Sequence, residues 1–225
     1  MSILLEYKFT PGDVLKYQSS VETKQETVIG ANTTSQDQKV IMNIRQEVKD
    51  FSNDIYRLEI FIESGSLVRQ DAEEELPAIE KPTIARFKKN GEVIADQAQA
   101  QFSQQSFPKN PINVGDSWAS QVNLRFPGRE EPIVITYTYT FEKEENIDGF
   151  DCAYIKVSCP FTSFELKPGM TQSFDISGGV YFAYNEGILI KSILNSISEV
   201  KTPQSRMKAE NKTLMKIKEY KGREI

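Results

Sequence analysis

The chain of 225 residues contains no histidine, and that absence excludes more chemistry than any residue present suggests. Without imidazole there is no Ser-His or Cys-His nucleophile pair, and the commonest general base and metal ligand is missing. Cysteine is nearly absent too. Cys152 and Cys159, in "DCAYIKVSCP", are too few to complete a four-ligand zinc site without histidine. Seven residues apart on a strand, they point to opposite faces, so an intramolecular disulfide is not expected. Two buried-type thiols suit a reducing compartment. No run approaches the eighteen or so apolar residues that would span a bilayer as a helix. The start, "MSILLEYKFTPGD", lacks a basic n-region and a cleavage site; with Met1 as the natural start, the expectation is a cytoplasmic protein.

Charge of one sign is also scarce. Thirty-two acidic and 27 basic side chains leave a net charge of −5, which argues against a nucleic-acid binder. No phosphate-binding loop occurs, because "SGG" at 177–179 runs into "VYFAYN", a strand rather than a helix. Those glycines are expected to form a bulge or kink in a long curved strand. The acidic run "DAEEEL" at 71–76 lacks calcium-loop spacing and reads as a solvated turn. No metal and no cofactor is expected. Paired carboxylates meet in space rather than along the chain, so a carboxylate-dependent hydrolase stays open as a minor alternative.

What the sequence does have is alternation of period two, carried by Val, Ile, Thr, Tyr and Phe. "PIVITYTYTFEKE" sets Ile133, Ile135, Tyr137, Tyr139 and Phe141 on one face. "DIYRLEIFIES" does the same with Tyr56, Leu58, Ile60 and Ile62. The pattern gives about ten antiparallel strands, each with one dry and one wet face. The fold class is therefore mainly β: long antiparallel strands in a strongly curved sheet or open barrel, with little helix. A first strand from Val14 to Ile29 would span on the order of 50 Å, so bending or bulging is expected. From Glu22 to Lys39 the apolar face almost vanishes, which suggests a polar hairpin tip, either a solvated loop or a contact arm. Prolines 77 and 82 limit any helix in 69–82 to a turn or two, and 96–107 could form a short helix before "PKNP".

"PGDVLKY" at 11–17 returns as "VGDSWAS" at 114–120, and "KKNGEV" has a later counterpart in "AYNEGILI". With the charged stretch "EVKDFSNDIYRLEI" and its counterpart "FEKEENIDGFDCAYIKV" between them, three features in the same order suggest a single domain, 1–225, made of two related halves, 1–95 and 114–225, joined by 96–113. Aromatics crowd the second half. They serve either as an ordinary core or as the lining of an apolar pocket, with Trp118, Tyr137, Tyr139 and Phe164 as the candidate ligand-binding residues.

"PGDVLKY", "PINVGDSW" and "GGVYFAYNEGILIKS" resemble motifs of an uncharacterised group of bacterial β-rich proteins. Their outline is similar to the half-barrel proteins that carry or sense lipoproteins and lipids in cell envelopes. The resemblance covers most of the chain. It implies an antiparallel sheet curled around an apolar face, with lipid-like ligands and, usually, a lidding helix. No lipid-attachment cysteine stands near the N-terminus here, and no residue-level role carries over. The function expected is a non-catalytic binding protein for an apolar or lipid-like molecule. The alternative of another class is a structural or adaptor subunit, binding a protein partner through the hairpin 22–39 or an exposed strand edge.

Overall fold

A computed structural model describes residues 2–70, 72–94, 105–124 and 132–225. Twelve strands account for most of them: β1 Val14–Ile29, β2 Asn32–Ser52, β3 Ile55–Arg69, β4 Ala72–Leu76, β5 Ile79–Lys88, β6 Ser117–Leu124, β7 Ile133–Ile147, β8 Phe150–Lys167, β9 Met170–Ala183, β10 Ile188–Lys201, β11 Ser205–Tyr220 and β12 Arg223–Glu224. They form one sheet in the order β4-β3-β2-β1-β11-β10-β9-β8-β7-β6, with β5 beside β3 and β12 beside β11. Every pairing is antiparallel. The sheet is curved and does not close: β4 and β5 form one margin and β6 the other. The first strand has the extent its alternation implies. Among the described residues there is no helix.

The hairpin at 22–39 is part of this wall rather than an arm. Its β1 limb pairs along its whole length with both β2 and β11, out to Ile29 opposite Asn32 and Ser205. Only the start of β2, ahead of Gln38, lacks a β3 partner. The acidic run is likewise not a turn. Residues 72–76 form β4, which pairs with the end of β3. An outermost strand with both faces in water needs no apolar residue, so its composition carried no strand signal. The short helix suggested at 96–107 lies almost wholly outside the described residues, and its last three, Gln105–Phe107, are not helical.

At one end the curl is filled by the chain's own N-terminus. Leu5, Tyr7 and Phe9 are buried in the trough between the two margins. The segment forms an isolated antiparallel bridge between Ile3 and Ile112, outside the twelve strands. Two further backbone bonds hold it, from Tyr7 N–H to Lys89 O (2.7 Å) and from Lys8 N–H to Gly187 O (3.3 Å). Around Tyr7 stand Phe9, Phe87, Phe107 and Phe182, with ring centroids 5.2–5.6 Å away. Each such buried ring contributes about 2–3 kcal/mol by removal from water. The core is therefore aromatic in both halves, and not chiefly in the second.

The two Gly-Asp turns are made the same way. Gly12 N–H donates to Val48 O (2.8 Å) and Val48 N–H to Asp13 O (2.9 Å), while Asp13 Oδ2 accepts from Thr10 N–H (2.9 Å). Gly115 N–H donates to Phe141 O (2.7 Å) and Phe141 N–H to Asp116 O (3.0 Å), while Asp116 Oδ2 accepts from Asn113 N–H (2.8 Å). Both glycines sit at positive φ, +95° and +97°, which a side chain resists. Each turn launches a strand, β1 or β6.

Gly178 and Gly179 do not form a bulge. The register of β9 runs through them unbroken against both neighbours, with Gly178 opposite Val157 and Leu194. The shifts in these ladders lie at Cys159/Thr162 and Glu165/Lys167 in β8 and at Leu189/Lys191 in β10. The glycines serve close approach instead. A Cβ at Gly178 would stand 2.1 Å from Ile193 O, and one at Gly179 would stand 2.4 Å from the Tyr154 ring.

Candidate functional site

Beyond the aromatic plug the trough continues, and its wall is a single layer of strands. Side chains alternate along each strand, so cross-strand partners define which residues share the concave face. On β6–β9 that face carries Trp118 opposite Tyr139, Tyr137 two residues along β7, then Ile135 and Ile133. Cys159 and Ile176 are paired on β8 and β9, and Phe164 and Phe174 follow further along them. Here a second apolar cluster forms, separate from the main core: Ile133, Ile135, Cys159 and Phe174 are buried, with Tyr137, Phe164 and Ile176 half-buried against them. All seven come from β7, β8 and β9, so among the described residues the cluster is built by the sheet alone.

The structure sets all four candidate residues on this face, in different surroundings. Trp118 stacks on Tyr139, centroids 5.5 Å apart and planes 14° from parallel. Its Nε1–H donates to Ser106 O at 2.8 Å, which ties β6 to the segment that crosses the plug. Tyr139 is buried within the main core. Tyr137 packs against both clusters and bridges them. Phe164 meets Phe174 edge to face, 6.0 Å between centroids. Trp118 and Tyr139 thus adjoin the main core, while Tyr137 and Phe164 stay half-buried on the second cluster. Ile176 escaped the sequence reading, and Phe174 counted there only among the crowded aromatics of the second half. The signal was present, since both alternate on β9 with polar residues, but no motif singled them out.

The main core is electrically quiet. Burial pushes the phenols of Tyr7, Tyr17 and Tyr139 well above their ordinary value. Tyr17 Oη donates to Leu189 O (3.1 Å), and Tyr7 Oη accepts from Gln105 N–H (3.0 Å). Burial also pushes the Cys152 thiol up to about 12, so it is no nucleophile at neutral pH. Both cysteines are buried and free. Above about pH 10, where exposed tyrosines release protons, the folded chain keeps protons that the unfolded chain has lost. Stability therefore falls as pH rises, by up to ~1.4 kcal/mol per pH unit for each of the three. Urea midpoints measured from neutral pH upward should hold level and then drop steeply above pH ~10. A level curve in that range would refute the burial of these rings.

No protein-family model matches the chain, and no curated protein matches it in sequence. Its fold is similar to that of a solved lipovitellin structure described by its lipid–protein interactions, with a TM-score of 0.50 at 10% identity. The alignment covers 97% of this chain and 26% of that one, so the chain spans about a quarter of the length of the lipovitellin chain. A DUF1329 family protein from Desulfovibrio piger aligns over 86% of this chain and 83% of its own at 11% identity, with a TM-score of 0.19, too low to bear on the fold. A Salmonella typhi OmpF structure, at 6% identity, 96% and 100% coverage and a TM-score of 0.32, adds nothing further. What the comparisons establish is an architecture: a large, open, curved antiparallel sheet of the kind found in lipovitellin.

Proposed function

We propose that the chain is a non-catalytic binding protein that holds an apolar molecule on the concave face of β6–β9. The observation that carries this reading is the second apolar cluster. A sheet wall that needed only to be stable would present polar side chains toward its trough, as β1 and β2 do beyond Val21 and Val40. Instead β7–β9 place Tyr137, Phe164 and Ile176 there, half-buried beside four buried neighbours. Half-exposed apolar side chains gathered on a concavity gain about 25 cal/mol per Å² when a ligand covers them. The likeness to lipovitellin supports the architecture this reading needs. A cytoplasmic location and a common origin for the two halves, suggested by their matching Gly-Asp turns, belong to the same reading.

An uncharged pyrene-labelled alkyl chain tests it. Binding at micromolar protein should quench or shift Trp118 emission, because that ring lies on the same concave face. Replacing Phe164 by Ala together with Ile176 by Ser should weaken binding by about tenfold or more, the equivalent of ~1.4 kcal/mol. Absence of binding to the wild-type protein, with Trp118 emission unmoved, removes the proposal.

A further inference from the structure

The concave face changes character abruptly beside the apolar cluster. Ser196 of β10 stands opposite Ile176, and from it a row of neutral polar residues crosses the sheet: Ser196 pairs with Asn211, Asn211 with Thr23, and Thr23 with Gln38. Next along β1 and β2 lie Gln25 and Gln36, again a direct pair. Thr23 Oγ1 donates to Asn211 Oδ1 at 2.8 Å, and Asn211 Nδ2 donates to Ser196 Oγ at 3.3 Å. Hydroxyl and carboxamide groups linked in this way keep unused donors and acceptors directed into the trough.

On the reverse face of the same strands the pattern is opposite. Glu22 and Lys24 alternate with Thr23, and Glu210 and Lys212 flank Asn211. There Glu22 pairs across strands with Lys39 at 3.0 Å, and Glu210 pairs with Lys208 along β11 at 2.6 Å. Charge is sorted by face: outside it is dense, and inside, from β2 to β9, the described wall has none. On the inner side it returns away from those strands, with Arg69 opposite Gln38 and Glu74 opposite Leu67 at one margin, and Glu144 opposite Ala153 and Lys167 opposite Met170 near the ends of β7 and β8. Solubility alone would be served by lysine or glutamate on either face, as the outer one shows.

We infer that the ligand is an amphiphile with an uncharged, hydroxyl-rich head, a sugar or a glycerol, whose chain lies on the β7–β9 cluster and whose head meets the Thr23–Asn211–Ser196 row. This rests on the apolar-ligand reading above and specifies it. A carboxylate or phosphate in that position would lose water without gaining a counter-charge, which is costly in a partly enclosed site. A neutral polyol exchanges its water for hydroxyl and amide partners at little net cost.

The test uses the full chain and three probes with the same alkyl tail, lauryl maltoside, lauroyl glycerol and ionised laurate, each below its micelle concentration. Calorimetric titration should show one or both neutral probes binding about tenfold or more tightly than laurate. The stronger of the two tells sugar from glyceride. In Gln25→Lys, which sets a cation among the neutral groups, laurate should gain and the preference should shrink or reverse. If laurate binds wild-type protein as tightly as the neutral probes, the head-group inference is wrong while the apolar site stands. If no probe binds, both fall together.

Discussion

Tyr7→Ala should lower the stability of the protein by about 4 kcal/mol, the range for losing a large buried aromatic side chain. Four aromatic neighbours lose their shared partner, and the cavity cannot collapse, because three of them lie on different elements: Phe87 on β5, Phe182 on β9 and Phe107 in the 105–107 segment. Tyr7→Phe is the informative companion. It keeps the ring and removes only the acceptor of the Gln105 N–H, so it should cost about 1–2 kcal/mol. Urea midpoints by fluorescence and far-ultraviolet circular dichroism measure both, at unchanged m-value. If Tyr7→Ala costs less than ~1 kcal/mol, the N-terminal segment is an appendage and not part of the core.

Gly178→Ala is the second large effect expected. The new methyl would stand 2.1 Å from Ile193 O and 2.9 Å from Leu194 Cα, both backbone atoms of β10 that no rotamer change can move. The residue's φ of +154° is also one that side chains rarely adopt. Either β10 retreats from β9 or the backbone turns at 178, and each disrupts paired ladders on both sides; a cost of about 2–4 kcal/mol follows. Gly179→Ala is the control. Its nearest neighbours are Cε2, Cζ and Oη of Tyr154, the far end of a half-buried outer-face ring that can swing aside. Its cost should be clearly smaller. Equal losses would mean that close strand approach at 178 is not what the glycine provides.

Much of the sheet is legible in the sequence, because a half-buried strand leaves a period-two record. The Val14–Ile29 strand shows this: its burial alternates from Val14 to Val21, and in the polar stretch that follows Thr23, Gln25 and Thr27 still turn inward. The record fails where burial is equal on both faces or absent. β4 has no dry face, so "AEEEL" carries no alternation. The N-terminal segment fails in the opposite way. Leu5, Tyr7 and Phe9 alternate as a strand would, yet the segment crosses the trough and is held by a few scattered bonds. Nothing local distinguishes a strand in a wall from an extended chain filling the space the wall encloses. For the site, alternation placed Tyr137 and Tyr139 on one face correctly, but Trp118 joins them only through strand pairing, and depth depends on strand order. Tyr139 is core because Phe141 and Val157 adjoin it, and Tyr137 faces the trough because the plug ends before it.

The two margins of the sheet are unlike. Along β4 and β5 run Glu73, Glu74 and Glu75 and then Pro82, whereas β6, "SWASQVNL", has neither a charged residue nor a proline. Fibre growth by backbone addition needs a receptive border on each side of every molecule, so that each newcomer offers a fresh one. Among the described residues one border carries like charges and loses an amide donor at Pro82, while β6 has neither device. Two unlike borders do not propagate head to tail, so the long open sheet is guarded against filaments on one side without closing into a barrel.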